Sequence, residues 1–211
     1  MPGDRSGRTG IPLESEMGRP KVWVAGHGPH MLRLTGQYGD GWLPAWHMEP
    51  EDYAAKRAIV ANHAEAAGRP APESGLLRGV ILGESKEHLA KLFDREPLSK
   101  LFALFIEGDR WEHYGVEHPL GPDSRGFIDM IVHDLDPEML RDLAPKIPFE
   151  LVDDHIFCGN AEEVFARFAP FADVGLEHAV LTLSMGTVGG RPEIEAFMTQ
   201  LARLPAMLAE V

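Results

Sequence analysis

Lys21-Val-Trp-Val-Ala-Gly-His-Gly-Pro-His-Met-Leu-Arg-Leu-Thr-Gly-Gln-Tyr-Gly-Asp-Gly-Trp42 reads as a buried strand, a tight glycine turn, a helix that opens on proline, and the first residues of a second strand. Val22 to Ala25 is a short apolar run of β-formers. Gly26 and Gly28 carry no Cβ, so the backbone can turn sharply there and come close to a ligand. Pro29 suits the first helical position, where its missing N–H would have had no partner anyway. Met31, Leu34, Thr35 and Tyr38 then recur at helical spacing, and Gly39 follows as a C-terminal cap. A strand that runs through a glycine turn into a helix N-terminus gathers several backbone N–H groups on one spot, an anion site most naturally filled by phosphate. The same junction also occurs in α/β proteins that bind nothing there, so its geometry leaves both readings open. It is not the dinucleotide fingerprint, because Met31 stands where that pattern wants glycine, and no Gly-Lys-Ser/Thr follows to make a P-loop.

Outward from this unit the chain keeps alternating. Trp42 to Trp46 reads as a short strand with its exit loop, and Pro50 opens a helix to about Ala67 that Gly68-Arg69-Pro70 stops. Leu76 to Leu82 is a further apolar strand. Ser85 to His88 then resembles a capping start for a helix through Phe93. Between about 96 and 156 the pattern predicts helices at Leu98 to Ile106, Phe127 to Leu135 and Pro137 to Leu143, separated by glycine- and proline-punctuated segments. Asn160 and Glu163 form a capping box for a helix over 161–173, His178 to Leu183 is the last strand, and residues 192–209 form a terminal helix. Strands alternating with helices imply an α/β fold with a parallel sheet and right-handed crossovers. Residues 1–18, polar and glycine-rich at their start and without signal-peptide character, read as a disordered tail.

Residues 22–42 resemble the luciferase-like superfamily of flavin- and deazaflavin-dependent oxidoreductases. There the fifth strand of a (β/α)8 barrel ends in a small-residue turn, then Gly-Pro, a helix, and Gly-Asp-Gly-aromatic entering strand six. A second match is Gly159-Asn-Ala-Glu-Glu-Val-Phe-Ala-Arg-Phe-Ala-Pro-Phe-Ala-Asp-Val-Gly-Leu-Glu-His-Ala-Val-Leu-Thr-Leu183, similar to the family's Gly-x-Pro/Ala-Glu-Glu-Val helix and its step into the last strand. His-Gly-Pro and Trp-Leu-Pro look like the actinobacterial branch that uses a deazaflavin. A TIM-type barrel needs roughly 250 residues, and this chain has 211. The resemblance, over about 18–211, therefore implies only the second half of the barrel, strands five to eight, as one domain over 19–211 with the helical insertion of about 96–156 at its mouth.

The resemblance implies coenzyme F420, or else FMN, as cofactor, for hydride transfer or monooxygenation of a small organic substrate. It places the cofactor's phosphate or ribityl chain on Ala25, Gly26, His27 and Gly28, and the substrate and ring pocket near Trp42, Trp46 and His47. His27 could add a charge-assisted hydrogen bond when protonated or be an exposed turn histidine. Trp42 could be core and Trp46 a rim residue. The acid–base residues of the deazaflavin branch lie mostly on early strands, so the catalytic residues are unknown. A half-barrel leaves two strand edges and its inward face uncovered. The alternative is thus a non-catalytic fragment or subunit, and the expected partners are a second copy or a complementing N-terminal half.

Composition bounds the rest. With 44% hydrophobic and 25% charged residues the chain is an ordinary globular one, and a net charge of −13 argues against nucleic acid, which would call for a basic stripe. No apolar run approaches the roughly 20 residues of a membrane helix. One cysteine, Cys158, excludes an intramolecular disulfide and suits a reducing, cytoplasmic interior. His133 to Asp136, Asp153-Asp154-His155 and the Glu-His pairs at 112–113 and 117–118 contain metal-ligand types at spacings that match no known motif, so no metal is expected.

Overall fold

The computed structural model describes residues 19–45, 47–183 and 189–208. The expected tail, Trp46 and the last residue of the expected terminal helix lie outside them.

Five strands, all parallel, form one sheet: β1 (Trp23–Val24), β2 (Gly41–Trp42), β3 (Glu73–Leu82), β4 (Phe157–Gly159) and β5 (His178–Leu183). β3 is the hub. Its start pairs with β2 (Gly41 with Glu73), its middle with β5 (Gly75 with His178 through Val80 with Leu183), and its end with β4 (Val80 with Phe157). Val80 has partners in both β4 and β5, so these lie on opposite edges. The N–H groups of Leu77 and Gly83 donate to Pro44 and Gly159 across 2.9 Å each, which places β2 and β4 one after the other along the same edge. Arg78 and Gly79 stand where one strand leaves and the next arrives. The four long-expected strands are those of a partial barrel; β4 was not anticipated, because Phe-Cys-Gly is too short to show a period.

Helices α1 (Pro29–Tyr38) and α2 (Pro50–Ala66) follow β1 and β2, and α3 (Lys86–Arg95) follows β3, its first turn capped by Ser85 Oγ accepting from His88 N. α7 (Ala161–Asp173) and α8 (Arg191–Leu208) flank β5 in sequence. Of these, α1, α2, α7 and α8 cover one face of the sheet. Leu76, Val80 and Leu82 of β3 meet Tyr53 and Val60 of α2, Val164 and Phe168 of α7, and Phe197 and Leu204 of α8 in one core.

The insertion has a core of its own, joined to β3 through Ile81. Leu89 and Phe93 of α3, Trp111 of α4 (Gly108–Glu112) and Leu151 and Val152 of α6 (Phe149–His155) pack there. Here the sequence reading needs correction. Pro97–Phe105 is a 3-10 helix. The helix expected over 127–135 is reduced to 3-10 turns at Gly126–Ile128 and Val132–Asp134, followed by α5 (Pro137–Leu143) as expected. Phe127, Ile128 and Ile131 are exposed and only Met130 and Leu135 reach the insertion core, too narrow a buried face to sustain a helix. Asp129 instead closes a local loop, accepting from Arg125 N at 2.8 Å.

Candidate functional site

Gly28 is the N-cap of α1, with φ −79° and ψ 157°, and gives the helix no side-chain cap; the first turn holds no acidic residue. A Cβ built at Gly28 would meet nothing within 4 Å, so the space before the helix N-terminus is clear. Gly26 is different: its Cβ would lie 2.6 Å from Met31 Cβ, so glycine is needed for the turn to close on α1. The turn is pinned from below, where Trp42 Nε1 donates to the Gly26 carbonyl at 2.8 Å. Ala25 and Gly28 are exposed, Gly26 is buried and His27 half-buried. The four turn residues thus stand together at the end of β1, with the chemistry of an anion cradle.

Two expectations change in detail. His27 is pushed below its ordinary value, first by burial and then by Lys56, against the opposing pull of Glu107 and the Ala45 backbone. A neutral ring, its Nε2 buried without a partner, is favoured over the imidazolium of a charge-assisted phosphate bond. Trp42, expected on a pocket wall, is 1% exposed and stacks on Tyr53 with ring centroids 5.1 Å apart. It belongs to the core and acts on the turn.

A cavity of about 430 Å³ opens over the middle of β3, between the exit of β2 and the end of β5, walled by Ala45, Leu77, Gly79 and Thr182, with Phe102, Phe105 and Phe127 from the insertion closing it. The cavity is therefore mainly aromatic and aliphatic, as a pocket for an apolar body should be. His47 is adjacent in sequence to this wall but turned away. Its Nδ1 is 3.1 Å from the Asp154 carbonyl and its Nε2 2.7 Å from Glu49 Oε1, so one ring nitrogen ties the β2 exit loop to α6 and the other holds Glu49 at the start of α2.

Arg78, which the sequence did not single out, and His155, weighed there only as a metal-ligand type, stand on this wall. His155 is lowered to about 4, by burial first and then by Arg78 and His47, so it is neutral at pH 7. Arg78 is buried and lowered to about 10, chiefly by burial and then by Arg167, which leaves it charged. An arginine inside the otherwise apolar Leu-Leu-Arg-Gly-Val-Ile-Leu was the available signal. Cys158 is buried with its thiol pushed up by that burial, which makes it inert. Among the described residues no group of three or more His, Cys, Asp or Glu side chains could hold a metal ion.

A parallel β/α sheet with a glycine turn at one strand end and a mainly apolar cavity over β3 is the arrangement of a partial β/α barrel. The luciferase-like monooxygenase family matches residues 3–178, and the chain belongs to that family. It is 36% identical over 165 residues to the phthiodiolone/phenolphthiodiolone dimycocerosates ketoreductase of Mycobacterium tuberculosis, a match that takes in 77% of this chain and 43% of the relative. An F420-dependent glucose-6-phosphate dehydrogenase of Rhodococcus jostii is 27% identical over 161 residues, 75% of this chain and 41% of the relative. Among solved structures, the coenzyme F420-dependent tetrahydromethanopterin reductase of Methanopyrus kandleri superposes with a TM-score of 0.60 at 14% identity, covering 89% of this chain and 51% of that one. The EDTA monooxygenase of Chelativorans gives 0.56 at 15% identity, over 92% and 45%. The chain thus spans about half the length of the relatives it matches, which agrees with a partial barrel.

Proposed function

We propose that this chain is the cofactor- and substrate-binding half of an oxidoreductase that uses coenzyme F420, in preference to FMN, for hydride transfer between the cofactor and a small apolar ketone or its alcohol. The observation that carries this reading is the clear, uncapped N-terminus of α1 in a chain that also holds a mainly apolar, aromatic-walled cavity. The backbone from Ala25 to Gly28 holds the cofactor's phosphate, with the α1 N–H groups supplying the positive end of the helix dipole. Neutral His27 offers that phosphate a hydrogen bond at most. Phe102, Phe105 and Phe127 exclude water from the reacting region, and Thr182 offers a hydroxyl there. Bound at the turn, the deazaflavin would supply or accept the hydride, while the protein positions both reactants. A ketoreductase among the relatives and the lack of charge on most of the cavity wall support an apolar carbonyl substrate. The single buried cysteine suits a cytoplasmic protein.

The test is a titration of the folded chain with F420 and, separately, FMN, followed by cofactor fluorescence, with Gly28→Asp as the control. The Gly28 backbone suits any residue, and an aspartate there would cap α1 through the same N–H groups the phosphate needs. The variant should therefore fold at least as stably yet lose cofactor binding. Tighter binding of FMN than F420 would overturn the choice of cofactor; unaltered binding in the variant would overturn the turn as its site.

A specific observation favours a second requirement. Val180 and Leu183 of β5 are exposed, and β5 has no second neighbour among the described residues, so a complementing half or another copy is needed to complete the site.

A further inference from the structure

We propose that Arg78 is the anchor for the carboxylate of an apolar, fatty-acid-like ligand whose chain lies along Phe102 and Phe105. Arg78 is 2% exposed, yet its Nε and Nη1 have no hydrogen-bond partner; Nη2 alone donates, to the Met48 carbonyl at 3.3 Å. The carboxylates around it are already engaged. Asp153 pairs with Arg167 at 2.9 Å and with Lys86, Asp154 with Arg110 at 3.0 Å, and Glu49 with His47 at 2.7 Å. Arg78 is the cation left over from this cluster. Its guanidinium lies 4.7 Å from the centre of the Phe157 ring, which it shares with Arg167 at 4.0 Å. An aromatic face holds it but gives it no acceptor. A buried guanidinium with two unused donors is costly, and a carboxylate answers both at once through paired hydrogen bonds.

The place of Arg78 in the fold says what else the ligand carries. It sits at the gap between β2 and β4 on one edge of β3, on the wall of the 430 Å³ cavity. His155, on the same wall, is neutral at pH 7, so it competes neither as an anion nor as a cation. Phe102 and Phe105 line this cavity and also a second one of about 780 Å³, whose wall continues through Leu98, Leu101, Leu104 and Leu140. One buried charge beside a long, mainly apolar wall fits an amphipathic anion better than a phosphosugar or inorganic phosphate, for which the 430 Å³ cavity adds only the Thr182 hydroxyl and the neutral His155 ring, Arg95 and Ser99 lying on the second cavity. The inference rests on the proposed function only in treating this ligand as a substrate or its mimic. The anchoring itself involves neither the α1 turn nor a cofactor.

The experiment is therefore made on the full chain without cofactor. Binding of decanoate, decanol and acetate is measured by calorimetry for the native protein, Arg78→Met and Arg78→Gln. Decanoate should bind saturably and at least about tenfold more tightly than either decanol, which lacks the charge, or acetate, which lacks the chain. Arg78→Met fills similar space without charge and should remain folded; in it decanoate should lose its advantage over decanol. Arg78→Gln provides a second folded background if the methionine variant misfolds. Equal binding of decanoate and decanol by the native chain would overturn the proposal, as would undiminished decanoate binding in a folded Arg78 variant. Binding of acetate as tight as that of decanoate would refute the apolar ligand. Cofactor titration of Arg78→Met separates this proposal from the previous one, since it should bind F420 like the native chain.

Discussion

At the residue scale, Trp42 shows how a core side chain can govern the turn proposed to bind the cofactor. Its indole N–H is the contact that fixes the Gly26 carbonyl, and its ring packs on Tyr53, which in turn sits edge-on to Phe171 of α7. Trp42→Phe keeps most of the ring but leaves a buried carbonyl unpaired, which should lower unfolding free energy by about 1–3 kcal/mol in urea titrations. It should also raise the Kd for F420, although Trp42 touches no ligand; an unchanged Kd would show that other contacts hold the turn. His155 sets a pH dependence. Burial lowers it to about 4, against about 6.5 unfolded. The unfolded chain binds the proton more readily, so this group's stabilisation is complete above pH 6.5 and is lost as pH falls towards 4. The upper value of that loss is about 3 kcal/mol. His27 and His118 are lowered too, and act in the same direction. Unfolding measured at pH 7, 5.5 and 4.5 should thus show falling stability, and His155→Gln should flatten the slope. An identical slope in the variant would assign the acid sensitivity elsewhere.

At the scale of elements, the join between α3 and α7 rests on Glu163. Its Oε2 accepts from Asn160 N and from Lys86 N, each at 2.8 Å, while Asn160 Oδ1 accepts from Glu163 N at 2.9 Å. One carboxylate therefore completes the capping box of α7 and satisfies the first turn of α3 across the sheet edge. Asn160→Ala should cost about 1 kcal/mol, the usual worth of an N-cap. Glu163→Ala should cost more, because it frees donors on two helices; equal losses would mean that the Lys86 contact adds nothing. The box was legible in the sequence because capping is local chemistry, as were α1, α2 and β3 from proline starts and apolar period. The stretch from 127 to 135 was not, since its apolar residues promised a helix that only tertiary packing could have sustained. The same divide runs through the candidate site. The 25–28 turn was readable because glycine, proline and strand are contiguous, whereas Arg78, Glu49 and Asp154 meet only after β2, β3 and α6 assemble. Trp42 and His47 were expected at the substrate pocket, but the hydrogen bonds that engage them involve residues as far away as Asp154.

At the scale of the molecule, the sheet ends at β1 and β4 on one side and β5 on the other, and among the described residues none of the three has a second partner. β5 is the most exposed of the three: Val180 is 37% and Leu183 49% exposed, a poor surface to leave in water. Parallel edges of this kind accept another strand, and relatives about twice as long match the chain over only half their length. The chain by itself should consequently self-associate, with a concentration-dependent mass in sedimentation experiments. Its net charge of −13 opposes that association through repulsion between copies. Raising salt to about 0.5 M, where the Debye length falls to a few ångströms, should therefore strengthen it, opposite to the behaviour of an interface built on ion pairs. Val180→Lys adds a charge to the open strand where the folded monomer has room for it, and should shift the distribution towards monomer with an unchanged far-UV spectrum. A native chain that stays monomeric at every concentration and salt level would sink this prediction. A variant that associates as strongly as the native chain would move the contact from β5 to the β1 edge or to the apolar surface around Phe127 and Ile131, both also exposed.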